Sequence, residues 1–231
     1  MSDAGEEWAR PKSAPGNPPA EAAIRFGTDG WRGVIADDFT MANVRRAARA
    51  LAAYVCRYEQ AGGGVAVGYD LRFGSEHFAR AAAEELARAG LRVWLAAEHT
   101  PTPVTSYAVR HYQAAAAVMI TASHNPWQWN GFKVKASYGG SASPEIIARI
   151  EALLDAEVPA RPGGVIHEAD FRAPYLEQVR RLVNLEKIAR AGFRLAVDPM
   201  YGAARGYLPA LLQPYGIPCT EIHGRRDPLF P

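Results

Sequence analysis

Hydrophobic positions along the chain follow two alternating patterns from residue 40 onwards. After Thr40, apolar residues recur every three or four positions as far as Tyr58, which predicts a helix with one apolar face. Three short apolar runs predict buried strands, at 65–68, 91–96 and 116–120. Helical patterns at 76–89 and after Pro103 separate these runs. The order β-α-β-α-β is typical of a parallel sheet with helices on both faces.

A second, shorter unit follows the third strand. Another helix is predicted from Ser143, and the stretch "EVPARPGG" has the composition of a linker. Beyond it we expect a helix at 174–183, two strands and one helix between the strands. We therefore predict a three-layer α/β/α domain with a mixed, mostly parallel sheet, followed by an incomplete second α/β domain with exposed strand edges. The predicted divisions are a disordered leader at 1–22, the first domain at 23–165 and the partial domain at 166–231.

Composition and charge exclude several classes of protein. The chain has 231 residues, of which 48% are hydrophobic and 22% charged, and a net charge of +2 without basic clusters. This distribution argues against a nucleic-acid-binding protein. The longest apolar run, 114–120, is too short to cross a membrane, and the N-terminus lacks a signal peptide, so we expect a cytoplasmic protein. Cys56 and Cys219 are too far apart in sequence for a zinc or redox motif.

The third strand ends in "TASHNP", which places Ser123 and His124 in a loop. A serine hydroxyl is a weak nucleophile that needs a base, and neighbours on an extended chain point to opposite sides. A Ser-His hydrolase pair is therefore disfavoured, and the G-x-S-x-G motif of serine hydrolases is absent. Taken alone, Ser123 is most simply a structural loop serine.

The surroundings of this serine favour a different chemistry. A turn is predicted at Asn-Pro 125–126, and a second turn at Asn-Gly 130–131 would return the chain so that Lys133 faces the same opening. Arg32 and Arg72 come from other loops, although Arg72 could instead pair with the nearby aspartate and brace its own loop. Several cations around one hydroxyl suit a phosphorylated serine.

Four motifs in a fixed order carry a family resemblance. They are "RFGTDGWRG" at 25–33, "GYDLRFGSEHFA" from Gly68, "TASHNP" with "NGFK" after it, and "VDPMYGAARGYLPALL" from Val197. Together they resemble the α-D-phosphohexomutases, the phosphoglucomutase/phosphomannomutase family. Four motifs in order are far more specific than any one of them.

This resemblance implies a phosphoserine mechanism. Ser123 would carry a phosphoryl group and pass it to a hexose monophosphate, giving a hexose 1,6-bisphosphate and finally the isomeric monophosphate. Mg²⁺ would bridge the phosphate on Ser123, which is the contact this chain contributes to the metal. Lys133 is the implied general acid/base or charge stabiliser, and Arg32 would hold the phosphate oxygens. The other implied loop residues are Thr121, His124, Asn125, Asn130 and Arg72.

Several motifs of the same family do not occur in the sequence. The "DGDxDR"-type metal loop, the sugar-binding loop and the C-terminal phosphate-binding loop are missing. We therefore expect a partial mutase with little or no activity until further C-terminal domains complete the site. The alternative is a non-catalytic short form that binds sugar phosphates or a partner protein. Glucose or mannose is the favoured sugar, while Trp127 and Trp129 are expected to pack or to cover the loop.

Overall fold

A computed structural model describes residues 24–27 and 30–231, so the leader predicted at 1–22 lies outside the described residues. The strands are β1 (Trp31–Val34), β2 (Val65–Tyr69), β3 (Arg92–Ala96), β4 (Ala116–Ile120), β5 (Trp129–Ala136), β6 (Val165–Ala169), β7 (Leu195–Val197) and β8 (Cys219–Glu221). The α-helices are α1 (Met41–Tyr58), α2 (Ser75–Arg88), α3 (Thr102–His111), α4 (Pro144–Glu151), α5 (Arg172–Leu182), α6 (Leu185–Arg190) and α7 (Tyr207–Leu212).

The first sheet has six strands in the order β1-β5-β4-β2-β3-β6. Strands β4, β2, β3 and β6 run parallel, whereas β5 is antiparallel to both β4 and β1. The predicted mixed, mostly parallel sheet is thus confirmed. Because β2 and β4 are neighbours, the loops that follow them emerge side by side, and these loops carry Arg72 and Ser123.

Helices cover both faces of this sheet. On one face α1, α2 and α4 bury an apolar cluster that includes Val44, Leu51 and Leu86. On the other face α3 packs with α5 and α7 in a second cluster around Val104, and that cluster continues into the second unit as Leu211. Thr40 caps α1 by accepting a hydrogen bond from the backbone N–H three residues later, as its sequence predicts. The three-layer α/β/α arrangement is confirmed.

Three strands were not foreseen in the sequence. Strand β1 has four residues including a glycine, and β6 follows a linker-like stretch, so neither gives a strong periodic signal. The predicted turn at Asn-Gly 130–131 is wrong, because both residues lie within β5 and pair across to β1. The first sheet also continues through Val165–Ala169, across the position where the sequence divides the two domains.

The second unit contains the short parallel sheet β7-β8 with helices α5, α6 and α7 around it. Among the described residues, each of these two strands pairs only with the other. Several large apolar side chains of this unit are more than half exposed, including Phe193 and Leu182. This agrees with the partial second domain expected from the sequence. No helix among the described residues is long and apolar enough to cross a membrane.

Candidate active site

The loop between β4 and β5 presents Ser123 to solvent at the edge of the sheet. Ser123 has a backbone φ of 60°, which is the left-handed region that non-glycine residues rarely adopt. Its N–H donates to Thr121 Oγ1 at 3.0 Å, and the N–H of Asn125 donates to the carbonyl of Ala122 at 3.1 Å. Strained loop conformations of this kind persist only where surrounding structure holds them.

Arg72 supplies that support from beneath the loop. Its Nη2 donates to the carbonyls of Ser123 and Asn125, each at 2.7 Å. Its Nη1 donates to the carbonyls of Pro126 and Trp129 at 2.9 and 3.0 Å. The side chain is only 2% exposed, so the guanidinium binds the loop backbone instead of facing the Ser123 hydroxyl. Arg72 was expected either to face the phosphate or to pair with Asp70 and brace its own loop. The geometry favours the pairing with Asp70, but the loop that the guanidinium braces is the Ser123 loop.

Asp70 holds Arg72 in place. The Nε atom of Arg72 lies 3.3 Å from Asp70 Oδ2, while Oδ1 accepts from the Arg72 N–H at 3.0 Å and from Ser75 Oγ at 2.8 Å. Burial raises the pKa of the Asp70 carboxyl, and the hydrogen bonds from Thr121, Ser75 and Arg72 act in the opposite direction. Burial also lowers the pKa of the Arg72 guanidinium. This is a buried ion pair whose charges each depend on the other.

Asn130 links the start of β5 to this pair. It is fully buried, and its Nδ2 donates to Ser75 Oγ at 2.9 Å while its Oδ1 accepts from the N–H of Gly131 at 2.8 Å. A chain of hydrogen bonds therefore runs from Asn130 through Ser75 and Asp70 to Arg72 and the Ser123 loop. Ser75 was not singled out in the sequence, since a serine at the start of a predicted helix is most simply a cap.

Replacing Asn130 by Ala should lower the free energy of unfolding by about 1–3 kcal/mol, because Ser75 Oγ loses a buried partner. Ser75→Ala should cost a similar amount for the same reason. In a double-mutant cycle from urea titrations, the double variant should be less destabilised than the sum of the two single variants. Simple additivity would show that the buried chain of hydrogen bonds is not energetically connected.

Strand register places the other candidate residues on one face of the sheet. Lys133 lies directly opposite Met119, and Gly131 lies opposite Arg32. Alternate residues of a strand share a face of the sheet, and so do residues directly opposite each other on neighbouring strands. One face of the sheet therefore carries Arg32, Lys133 and Thr121. Arg32 Nη1 donates to Asn125 Oδ1 at 2.9 Å, which ties β1 to the loop. Strand pairing, and not a turn, therefore brings Arg32 and Lys133 to one face of the sheet, whereas Arg72 comes from the loop after β2.

Gly131 allows this close assembly. A Cβ added there would lie 2.6 Å from the carbonyl oxygen of Thr121 and 2.9 Å from that of Trp31. Both neighbouring strands thus approach the glycine backbone directly. The "NGFK" motif reflects this space requirement at the centre of three strands.

An open cleft of about 680 Å³ borders the loop. Ser123 and His124 are exposed along it, and Trp127 forms part of its wall with 46% of its surface exposed. The opposite wall comes from the second unit through Met200 and Phe230. The volume is in the range of small-molecule sites, and the cleft places an exposed hydroxyl beside a mixed polar and apolar lining.

The described residues do not by themselves fit Mg²⁺. None of them belongs to a group of three or more His, Cys, Asp or Glu side chains that could hold a metal ion. Asp70 borders the Ser123 cleft, but Ser75, Thr121 and Arg72 already engage its carboxylate. A divalent hard cation needs several free oxygen ligands.

A second cleft, of about 630 Å³, lies between the two units. His99 borders it, and its Nε2 is buried without a hydrogen-bond partner among the described residues. Burial lowers the pKa of His99, and the positive charges of Arg205, Arg172 and Arg226 lower it further, while Glu98 acts in the opposite direction. The imidazole therefore stays neutral to a lower pH in the folded chain than in the unfolded chain.

The burial of a neutral His99 predicts a loss of stability in mild acid. Below the ordinary pKa of 6.5 the unfolded chain takes up a proton that the folded chain does not, so stability falls as the pH falls through the folded pKa. The drop in unfolding free energy between about pH 7 and about pH 5.5 should therefore be smaller in His99→Gln than in the wild type. The matched control His167→Gln, at an exposed position, should keep the wild-type drop.

Two protein-family models match most of the chain. Residues 23–161 match the model of phosphoglucomutase/phosphomannomutase α/β/α domain I, and residues 173–231 match that of domain II. The chain belongs to the phosphoglucomutase/phosphomannomutase family. The resemblance drawn from the four motifs is thereby confirmed, and the Ser123 cleft lies between the parts of the chain that match the two family models.

Individual members of the family align with nearly the whole chain. A phosphoglucosamine mutase of Carboxydothermus hydrogenoformans is 34% identical over 209 residues, covering 87% of this chain and 46% of that protein. A phosphoglucomutase of Komagataeibacter xylinus is 28% identical, covering 91% of this chain and 42% of that protein. A crystal structure of a Thermus thermophilus protein superposes with a TM-score of 0.82 at 41% identity, covering 90% and 48% of the two chains. The chain thus spans about half the length of the relatives it matches.

Proposed function

We propose that Ser123 is the phosphoryl carrier of a phosphohexomutase site that interconverts sugar 1-phosphates and 6-phosphates. The observation that carries the proposal is the exposed Ser123 hydroxyl, held in a strained turn by the buried Arg72 at the edge of a cleft. A nucleophile fixed ahead of reaction loses little freedom when it attacks. Membership of the mutase family supports the same chemistry.

The proposed transfer conserves atoms and charge in a simple way. Ser123 Oγ forms a bond to the phosphorus of a hexose 1,6-bisphosphate while the bond from phosphorus to the sugar oxygen breaks. The hydroxyl proton leaves Oγ and ends on the released sugar oxygen, so the products are phosphoserine and a hexose monophosphate. In the isomerisation, phosphoserine gives its phosphoryl group to the free 6-hydroxyl of a sugar 1-phosphate, which forms the 1,6-bisphosphate. Transfer of the 1-phosphoryl group from that bisphosphate back to Ser123 then releases the sugar 6-phosphate.

Cations on the shared sheet face supply charge for this transfer. Arg32 already reaches the loop through Asn125, and its remaining guanidinium N–H groups are the proposed donors to phosphate oxygens. Lys133 lies on the same face at 4% exposure and is the proposed acid/base or charge-stabilising residue. His124 is the proposed exposed polar contact on the lip of the cleft.

Complete isomerisation of a sugar monophosphate is proposed to need further domains in addition to the described residues. The described residues alone do not form a Mg²⁺ site, and family members are about twice as long as this chain. The 231-residue chain by itself should therefore take up phosphate from a bisphosphate yet isomerise sugar monophosphates little or not at all. Glucose and mannose phosphates are the favoured substrates from the sequence, while a relative named for glucosamine makes that phosphate a necessary comparison.

The experiment incubates the chain with glucose 1,6-bisphosphate and Mg²⁺ and follows the release of hexose monophosphate. We expect a burst of about one equivalent of hexose monophosphate per chain without further release, because the phosphoserine that forms is not discharged to a second sugar. Mannose and glucosamine bisphosphates tested in parallel rank the sugars. Binding of the bisphosphate without any release would instead favour a sugar-phosphate-binding protein, and rapid isomerisation would contradict the expected incompleteness.

A further inference from the structure

The Arg72 guanidinium has an edge and a face, and different parts of the chain occupy them. Its Nη1 and Nη2 atoms donate to four loop carbonyls, and its Nε lies 3.3 Å from Asp70 Oδ2 in an ion pair without a hydrogen bond between these two atoms. The face is covered by the ring of Phe230, whose centroid lies 5.2 Å from Arg72 Cζ. An aromatic ring over a cation contributes more as water is excluded, and Arg72 is almost fully buried.

Phe230 comes from the second unit, on a turn that is itself anchored. Its N–H donates to the carbonyl of Asp227 at 3.2 Å, and the N–H of Leu229 donates to Asp227 Oδ1 at 3.2 Å. Arg226 Nη2 lies 3.2 Å from Glu76 Oε1, which ties the turn to helix α2 of the first unit. Phe230 itself has a φ of 49°, so the turn holds it in a costly conformation with its ring toward the site.

We propose that Phe230 is a positioning residue for the Ser123 loop, acting through Arg72. By covering the guanidinium face, the ring keeps water from competing for the donors that hold the loop carbonyls. The second unit thus controls how rigidly the first unit presents its serine. The effect on phosphoryl transfer rests on the proposed function, whereas the effect on loop rigidity does not.

The test compares hydrogen exchange of peptides covering residues 121–129 in the 231-residue chain. Exchange in the Phe230→Ala variant should be about five- to thirtyfold faster than in the wild type, the factor that corresponds to losing one such contact. Phe230→Tyr keeps the aromatic face and should restore slow exchange. Phe230→Leu keeps only apolar volume and should remain close to the Ala variant.

Controls separate this role from general packing and from the proposed chemistry. Phe193→Ala removes an exposed phenylalanine of the same unit and should leave loop exchange unchanged. Equal exchange in the wild type and Phe230→Ala, or full rescue by Phe230→Leu, would overturn the proposal. If the variants show the expected differences in exchange while the wild type never releases hexose monophosphate from the bisphosphate, the proposed function fails and the positioning role of Phe230 stands.

Discussion

The Arg72→Met variant is expected to unfold with about 3–5 kcal/mol less free energy than the wild-type chain. The substitution keeps an apolar stem but leaves Asp70 charged and buried without its cation, and it leaves four loop carbonyls without their donor. Breaking one side of a buried ion pair is costly because the remaining charge has no water to replace its partner. Urea titration followed by circular dichroism measures the loss.

Two further variants show whether the geometry of the Arg72 side chain or its charge is responsible for the lost stability. Arg72→Lys keeps the positive charge but offers one ammonium in place of a planar fork, so it should recover only part of the lost stability. Arg80→Met removes an exposed arginine paired with Glu168 and should cost less than about 1 kcal/mol. A value for Arg72→Met within about 1 kcal/mol of wild type would mean that the loop does not depend on this arginine.

The second large effect concerns Ser123 itself. Ser123→Ala should abolish release of hexose monophosphate from the bisphosphate, while stability changes by no more than about 0.5 kcal/mol because the side chain is exposed. Ser123→Thr supplies a hydroxyl but should fail as well, since a β-branched residue is strongly disfavoured at a φ of 60°. The free energy of unfolding of Ser123→Thr should be about 1–2 kcal/mol lower than that of the wild type.

Another exposed serine provides the matched control for this effect. Ser137 follows β5 at the opposite end of that strand from the Ser123 loop, and Ser137→Ala should release hexose monophosphate as the wild type does. Retained release in Ser123→Ala would show that another group accepts the phosphoryl, and an active Ser123→Thr would show that the strained turn is not required.

The sequence predicted most of the first domain because its elements carry strong, regular patterns. Helix α1 combines a cap at Thr40 with an apolar face, and β4 is fully apolar, so both were located within a residue or two. Strand β5 was missed since "NGFKVK" places lysines on one face and an Asn-Gly pair at its start, which is a stronger turn signal than a strand signal. Burial of Lys133 inside a sheet is a tertiary effect that local propensity does not reveal.

The site was predicted as a set of residues but not as an arrangement. Ser123, Arg32 and Lys133 were recognisable from the motifs that surround them. The separate roles of the site residues were not recognisable from sequence. Only the fold shows that Arg72 binds the loop carbonyls and that Asn130 is buried and donates a hydrogen bond to Ser75. The contribution of Phe230 could not be seen in a loop-like "DPLFP" stretch more than a hundred residues from the serine.

Acceptance of a phosphoryl group by Ser123 is tested most directly by mass spectrometry of the chain after incubation with glucose 1,6-bisphosphate and Mg²⁺. Peptide fragmentation should place one phosphoryl group on Ser123, with none on His124 or Ser137. In a complete enzyme of the family, the phosphoryl group on the corresponding serine should disappear when an acceptor sugar phosphate is added. An unmodified Ser123, or a phosphoryl group on another residue, would contradict this account.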